Sequence, residues 1–272
     1  MIIGNKEFTN GKTYVMGILN LTPDSFSDGG KYNTLDLALV HAEEMIAEGA
    51  DIIDIGGEST RPGYVKVSDD EEIKRIVNVI EEIKKRFDIP VSADTYKSEV
   101  ARAAILSGAD MINDIWGFKY DNNMAKVVKD ADAACCLMHN KANTEYRDFI
   151  HDVADELSEC VKIAKAAGIS DDKIVLDPGI GIGFGKTYEQ NLAVMKNLKS
   201  FDLGYPLLLG ASQKSMIGNA LGLEVSERLE GTLVTSVIAA QAGYMFVRVH
   251  NVKENKRVIQ MTEAIMKGNI NG

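Results

Sequence analysis

The sequence predicts an α/β fold, a single (β/α)8 TIM barrel over residues 1–272 with a short hairpin-like extension at its N-terminus. Three observations predict it. A short apolar run, a polar glycine-rich loop and an amphipathic helix recur in that order eight times. The length of 272 residues suits one barrel, which takes about 250 residues. No linker rich in proline or serine divides the chain.

Eight apolar runs mark the predicted strands. They begin roughly 20 to 40 residues apart, close to the length of a βαβ unit. Most are apolar throughout, which is typical of parallel strands covered on both faces. A doubly wound sheet is the alternative, and the count of eight together with the chain length favours the barrel. The runs are Tyr14–Leu19, Asp51–Ile55, Pro90–Ala93, Met111–Ile112, Ala133–Met138, Ile174–Leu176, Pro206–Leu209 and Met245–Val249.

Amphipathic helices separate these strands. Apolar residues recur at helical spacing between Ile73 and Ile83 and again between Phe149 and Ala164, so we expect both stripes to face the core. The first twelve residues precede the first strand. We expect them to form a small hairpin across the bottom of the barrel.

Composition narrows the possible partners and the compartment. The net charge of −10 argues against nucleic acid, whose partners usually carry a basic face. The three cysteines, Cys135, Cys136 and Cys160, contain no Cys-x-x-Cys pair, so we expect buried thiols in a reducing cytoplasm and no zinc site. No apolar run approaches the roughly 18 residues of a membrane span.

Polar residues follow every predicted strand, at the end of a barrel where catalytic groups lie. Cations gather at the last two strands, where barrels often bind phosphate, and acceptors gather on the others. This predicts a ligand with a donor-rich polar ring and a phosphate group. The strand ends are Asn20, Asp54–Arg61, Asp94, Asn113–Asp114, His139, Asp177, Ser212–Lys214 and Arg248–His250.

Two of the loops after these strands are long and rich in glycine, serine and proline. They span Thr22–Gly30 and Gly56–Gly63, and both carry charged residues. Long loops at the active end of a barrel are candidate lids.

Six segments together resemble the dihydropteroate synthase family of folate biosynthesis. Two of them, MGILNLTPDSFSDGG at 16–30 and DIGGESTRPG at 54–63, are highly specific in this order and spacing. The others are SADTYK at 92–97, GADMIND at 108–114, LDPGIG at 176–181 and RVH at 248–250. The resemblance implies a (β/α)8 fold. It also implies condensation of 6-hydroxymethyl-7,8-dihydropterin diphosphate with 4-aminobenzoate to 7,8-dihydropteroate and diphosphate.

The resemblance also implies roles for individual residues of this chain. The groups that hold the pterin ring are Asp94, Asn113, Asp177 and Lys214. The groups at the diphosphate end are Asn20, Thr60, Arg248 and His250, and Asn20 reaches Mg2+, the implied cofactor. The lid residues are Asp28 and Arg61, which join Lys214 as candidate catalytic residues. The aminobenzoate pocket takes Pro62, Ser215 and one residue of the 182–184 stretch.

The implied mechanism relies on positioning and charge. Mg2+ and the cations neutralise the departing diphosphate. Asp94 and Asp177 stabilise positive character on the pterin, and the amine of aminobenzoate attacks. The resemblance also implies a homodimer, for which 227–241 and 253–267 are the candidate helices, and sensitivity to sulfonamides, which mimic aminobenzoate.

The chain departs from the family pattern at three points. The fifth predicted strand ends Met138-His139-Asn140, where the family usually has Met-His-Met. Gln213 stands where the family usually has arginine, and the segment after Asp177 is two residues longer, so that either Ile182 or Phe184 takes the aromatic position. Two alternatives stay open at this stage. One is a pterin-barrel methyltransferase that passes a methyl group from methyltetrahydrofolate to a corrinoid. The other is a catalytically weak paralogue that binds pterin or serves as a partner subunit.

Overall fold

The computed structural model describes residues 1–21, 34–59 and 66–268, and within them it confirms the predicted barrel. Each predicted run overlaps one parallel strand of a single sheet. These strands are β3 (Tyr14–Asn20), β4 (Ile52–Gly56), β5 (Val91–Asp94), β6 (Met111–Asp114), β7 (Ala134–Met138), β8 (Ile174–Asp177), β9 (Leu208–Leu209) and β10 (Phe246–Val249).

The sheet closes on itself. Strands β3 to β8 pair with their neighbours in chain order, β10 pairs with β3, and β9 pairs with β10. An isolated parallel bridge between Leu176 and Leu207 joins the last two edges, beside β8 and β9. Closure removes the free sheet edges, and the carboxyl ends of all these strands then meet at one end of the barrel.

Helices surround the sheet in the described part of the chain. Helix α2 shows how the local sequence forms such a helix. Ser68 caps its N-terminus by accepting a hydrogen bond from the backbone N–H of Glu71, and Ile76 and Ile80 are buried against the strands. The helices are α1 (Thr34–Ala47), α2 (Asp69–Arg86), α3 (Ser98–Leu106), α4 (Met124–Asp130), α5 (Phe149–Ala166), α6 (Tyr188–Lys196), α7 (Ser215–Leu221), α8 (Leu229–Ala242) and α9 (Val252–Lys267). None of the described helices is long and apolar enough to cross a membrane.

The predicted N-terminal hairpin is also confirmed. Strands β1 (Ile2–Ile3) and β2 (Lys6–Glu7) are antiparallel. Ile3 and Phe8 are each 1% exposed and pack into one apolar cluster with Met16 and Phe246, near the amino ends of the barrel strands. The hairpin therefore covers the bottom of the barrel, so the opposite end is the one that receives a ligand.

Strand register brings several of the predicted site residues together. Asn20 pairs with Gly56, Gly56 with Asp94, and Asp94 with Asn113, across four successive strands. Paired positions on neighbouring parallel strands lie about 5 Å apart with side chains on the same face. Residues separated by 93 positions in sequence between Asn20 and Asn113 thus share one rim.

Candidate active site

A buried cluster of charged side chains lies inside the carboxyl end of the barrel. Arg248 Nε donates to Asp54 Oδ2 at 2.6 Å, and Arg248 Nη2 donates to Asp94 Oδ2 at 2.5 Å. Asn113 Nδ2 also donates to Asp54 Oδ2, at 3.3 Å. Asp54 is fully buried, whereas 17% of the Arg248 side chain is exposed. One guanidinium therefore joins two carboxylates, with one face left toward the barrel opening.

Asp177 and Lys214 form the second charged part of the site. Lys214 Nζ donates to the backbone carbonyl of Ile180, in the loop that follows Asp177. Gly210 lies between this part and the first. A Cβ atom at Gly210 would lie 3.5 Å from Asp177 Oδ2 and 4.0 Å from Arg248 Cβ. A methyl group at this position would therefore be in van der Waals contact with both parts.

Burial shifts the ionisation of these groups. Burial raises the pKa of Asp94 above its usual range, although the charge of Arg248 opposes the shift. Burial also raises the pKa of Asp177, against the opposing charge of Lys214. The same desolvation lowers the pKa of Lys214 to about 8, although the charge of Asp177 acts in the opposite direction. Hydrogen bonds and charges inside such a dry site act on a ligand more strongly than in water.

Two further predicted residues flank this cluster. A Cβ atom on Gly56 would lie 3.7 Å from Asn20 Oδ1 and 3.7 Å from Asp94 Oδ2, so Asn20 faces the same space as the carboxylate. On the other side, His250 Nδ1 lies 3.0 Å from Ser212 Oγ, which also accepts the backbone N–H of His250 at 3.2 Å. Ser212 therefore orients the His250 ring from the neighbouring strand end.

The longer loop after β8 presents an aromatic ring to the site. Lys214 Nζ lies 5.0 Å from the centroid of the Phe184 ring. A Cβ atom at Gly181 would lie 2.6 Å from Phe184 Cδ2, so only glycine allows the ring this close to the backbone. Phe184 also packs against an apolar cluster beside the barrel opening, formed by Tyr96, Ile115 and Met138 together with Trp116.

The departure at Gln213 is supported by its own hydrogen bonds. Gln213 has a left-handed backbone conformation, with φ of 57°. Arg228 Nη1 donates to the Gln213 carbonyl at 2.9 Å, and Gln213 Nε2 donates to Asn251 Oδ1 at 3.1 Å. These contacts fix the turn that delivers Lys214 to the site.

The other predicted site residues differ in what the structure says of them. Ser215 begins α7 directly after Lys214 and is partly buried. The lid residues Asp28 and Arg61, and with them Thr60 and Pro62, lie outside the described residues.

Sequence reasoning missed part of this arrangement. The sequence places Asp54 only among the strand ends and gives it no role of its own, yet it shares Arg248 with Asp94. The sequence patterns also assign no role to Lys186, which is 1% exposed and whose Nζ lies 2.6 Å from His139 Nδ1. The available signal for Asp54 was a charged residue in the middle of a fully apolar strand.

Comparison with known proteins agrees with this geometry. A model of the pterin binding enzyme family matches residues 16–250. The dihydropteroate synthase of Clostridium beijerinckii is 60% identical over 270 residues, which cover 98% of this chain and 100% of that protein. The dihydropteroate synthase of Bacillus subtilis is 53% identical over 261 residues, which cover 95% of this chain and 91% of that protein.

Solved structures show the same likeness. The dihydropteroate synthase of Clostridium difficile, crystallised in the presence of pteroic acid, superimposes with a TM-score of 0.92 at 49% identity and covers 96% of this chain and 100% of its own. The enzyme of Xanthomonas albilineans in complex with 7,8-dihydropteroate gives a TM-score of 0.88 at 36% identity and covers 95% of each chain.

The barrel, the buried charged cluster at its carboxyl end and the family match together define the class: the chain belongs to the pterin binding enzymes. Within that family it belongs to the dihydropteroate synthases, which are transferases of the pterin methylene group. The resemblance of the six sequence segments is thereby confirmed, and the methyltransferase alternative is not supported.

Proposed function

We propose that the two charged parts of the site divide the pterin diphosphate between them. Asp94, Asn113 and Asp177 accept hydrogen bonds from the N–H groups of the pterin ring, and Lys214 donates to the ring. The observation that carries this proposal is the grouping of buried carboxylates and two cations at the carboxyl end of the barrel, where Gly210 lies between Asp177 and Arg248. Such a grouping favours a ligand with many donors at one end and negative charge at the other.

The cationic side chains at the end of β10 bind the diphosphate group of the substrate. Arg248 uses two of its five N–H donors on Asp54 and Asp94, so the guanidinium is oriented before a phosphate oxygen arrives. His250, which Ser212 orients, is the second contact on this side, and Thr60 is the third. An oriented group loses less entropy on binding than a mobile one.

The reaction then needs little beyond position and charge. The bond between the exocyclic methylene carbon and the diphosphate oxygen breaks, and diphosphate leaves with the electron pair. Asp94 and Asp177 stabilise the positive charge that develops on the pterin. The amine lone pair of 4-aminobenzoate forms the new carbon–nitrogen bond, and the amine then loses a proton to solvent. Asp28 and Arg61 close over the two substrates and exclude water.

Aminobenzoate binds beside the loop after β8. The ring of Phe184 beside the Lys214 ammonium offers an aromatic surface against which the benzoate ring can pack. Ser215 and Pro62 complete this pocket. Sulfonamides, one of which is bound in a structure of the Yersinia pestis enzyme, are expected to compete here.

The donor set fits a Mg2+ ion that arrives with its substrate. Among the described residues no group of three or more His, Cys, Asp or Glu side chains could hold a metal ion. Asn20 offers one amide oxygen at the rim, and Mg2+ commonly binds through one or two protein oxygens, waters and substrate phosphates. When bound, the ion would neutralise charge on the departing diphosphate.

A diphosphate-release assay tests the proposed function. Wild-type protein with Mg2+, the pterin diphosphate and 4-aminobenzoate should release diphosphate over many turnovers, and omission of aminobenzoate should lower the steady-state rate of release sharply. Lys214→Ala should weaken pterin diphosphate binding sharply, whereas Lys126→Ala, at a lysine side chain that is 74% exposed, should not. No release with all components present would refute the synthase activity.

We also propose that the enzyme is a homodimer in the cytoplasm. Helices α8 and α9 expose a set of large apolar side chains, and a second copy of the chain would cover them in a symmetric interface. They are Val234, Ile238, Met261, Ile265 and Met266. The three buried free cysteines are consistent with a reducing compartment.

A further inference from the structure

A fully buried lysine lies directly behind the aminobenzoate side of the site. Lys186 belongs to the loop between β8 and α6, two residues after Phe184. It is 1% exposed, which is rare for a lysine without a buried partner. Its Nζ lies 2.6 Å from His139 Nδ1 and 3.4 Å from the carbonyl oxygen of Phe184.

The ionisation of Glu156 and His139 decides which atom donates in each of these hydrogen bonds. His139 Nε2 lies 3.0 Å from Glu156 Oε2, on helix α5. The hydrogen bond with His139 holds the pKa of Glu156 at about 2, so Glu156 is an ionised acceptor. Burial lowers the pKa of His139 to about 4, so its ring is neutral. His139 Nε2 therefore carries the proton, Nδ1 accepts, and Lys186 donates.

Neighbouring contacts fix the same loop to the end of β7. Tyr146 donates to the carbonyl of Gly185 at 2.7 Å. Lys141 Nζ donates to Glu156 Oε1 at 3.1 Å, and a Cβ atom at Gly185 would lie 2.6 Å from Lys141 Cβ. The loop segment that follows Phe184 is therefore held by residues that follow β7, while Phe184 itself faces the site.

We propose that Lys186 is a positioning residue of the aminobenzoate site. Held by His139 and through it by Glu156, Lys186 fixes the loop after β8 so that Phe184 packs beside Lys214. This inference rests on the proposed function. It extends that function to three residues that do not themselves touch substrate.

The charge of Lys186 is separable from its hydrogen bonds. Burial lowers the pKa of Lys186 to about 7, although the charge of Asp177 opposes this. The charges of Lys214 and Lys119 also lower the pKa of Lys186, and the charge of Glu156 raises it. Above pH 8 the amine is largely neutral, but it still donates to His139. Lys214 is also largely neutral at pH 8.5, so each constant is compared with that of the wild type at the same pH, and the ratio reports the hydrogen bonds rather than an electrostatic effect on Asp177.

Lys186→Met, which keeps an unbranched apolar side chain one atom shorter and removes the donors, is the decisive variant. At pH 8.5 we expect KM for 4-aminobenzoate to rise about fivefold or more, the factor that one net hydrogen bond corresponds to. The Kd of the pterin diphosphate, measured by calorimetry, should change by less than about twofold. Lys126→Met, on the exposed face of α4, is the matched control and should leave both constants unchanged.

The single tryptophan supplies a readout that is independent of turnover. Trp116 packs against the same apolar cluster as Phe184. Its fluorescence should therefore shift to longer wavelength in Lys186→Met and not in Lys126→Met. Glu156→Ala, at a side chain that is 22% exposed, should shift it in the same direction by less.

The outcomes separate the inference from the function it rests on. If Lys186→Met folds with the wild-type KM and the wild-type emission, the positioning role is wrong. Equal weakening of both substrates would also overturn it. If Lys186→Met does not fold, an unchanged KM and emission in Glu156→Ala overturns it. If the wild-type protein releases no diphosphate, the proposed function fails, and the emission of Trp116 still decides whether Lys186 fixes the loop.

Discussion

Removal of the Arg248 charge should destabilise the fold as well as impair binding. In Arg248→Met the fully buried carboxylate of Asp54 loses its partner at 2.6 Å, and Asp94 loses its partner at 2.5 Å. Loss of one member of a buried ion pair costs about 3–5 kcal/mol, because the remaining charge is left desolvated. The lower end applies here, since 17% of the Arg248 side chain is exposed and water can reach the gap.

This free energy converts to a measurable melting shift. With an unfolding entropy of about 2.1 cal/mol/K per residue, the 272 residues give about 0.6 kcal/mol/K, so a loss of about 3 kcal/mol lowers Tm by about 5 °C. Calorimetry without substrate measures this directly. The matched control is Arg86→Met, at an exposed pair with Glu82 on α2, where Tm should change little because solvent screens the two charges.

A double substitution separates the buried charge from the lost packing. Arg248→Met leaves the buried Asp54 carboxylate without a cationic partner, and Asp54→Asn removes that negative charge. The double variant should therefore be more stable than Arg248→Met alone, by about 1–2 kcal/mol. A wild-type Tm for Arg248→Met would refute this reasoning. So would a double variant whose loss is the simple sum of the single losses.

Three further predictions concern the alkaline pH limit, the loop after β8 and the assembly. Lys214 is cationic only below its lowered pKa of about 8, so kcat/KM for the pterin diphosphate should fall as pH rises through that value. Lys214→Arg should move this fall in activity to higher pH. A fall that stays at the same pH would assign the titration to another group. Gly179→Ala should lower Tm more than Gly204→Ala. Both glycines have positive φ, of 72° and 84°, but a Cβ atom at Gly179 would lie 2.3 Å from the His139 carbonyl oxygen, whereas one at Gly204 would have nothing within 4 Å. Equal losses of Tm would show that backbone strain alone matters. Ile265→Glu should shift the protein from dimer to monomer in sedimentation, and an unchanged mass would refute α9 as the interface.

The sequence by itself determined the architecture and most of the rim. Apolar runs of strand length, separated by amphipathic helices, leave a parallel sheet few ways to close, and the first residues after each run then face one end. Asp94 and Asp177 were predictable for this reason because each ends its strand, and Asn113 because it is the next-to-last residue of β6. Lys214 was predictable from its place in the short loop between β9 and α7. The six family segments added the chemistry.

Tertiary structure alone decided which groups pair. Asp54 and Arg248 are 194 positions apart, and only barrel closure, which sets β10 beside β3, brings the guanidinium over both carboxylates. The same holds for Lys186, whose burial depends on His139 from a neighbouring strand end and Glu156 from a helix. No local pattern marks such a lysine, because its desolvation is offset by partners that the chain supplies from elsewhere.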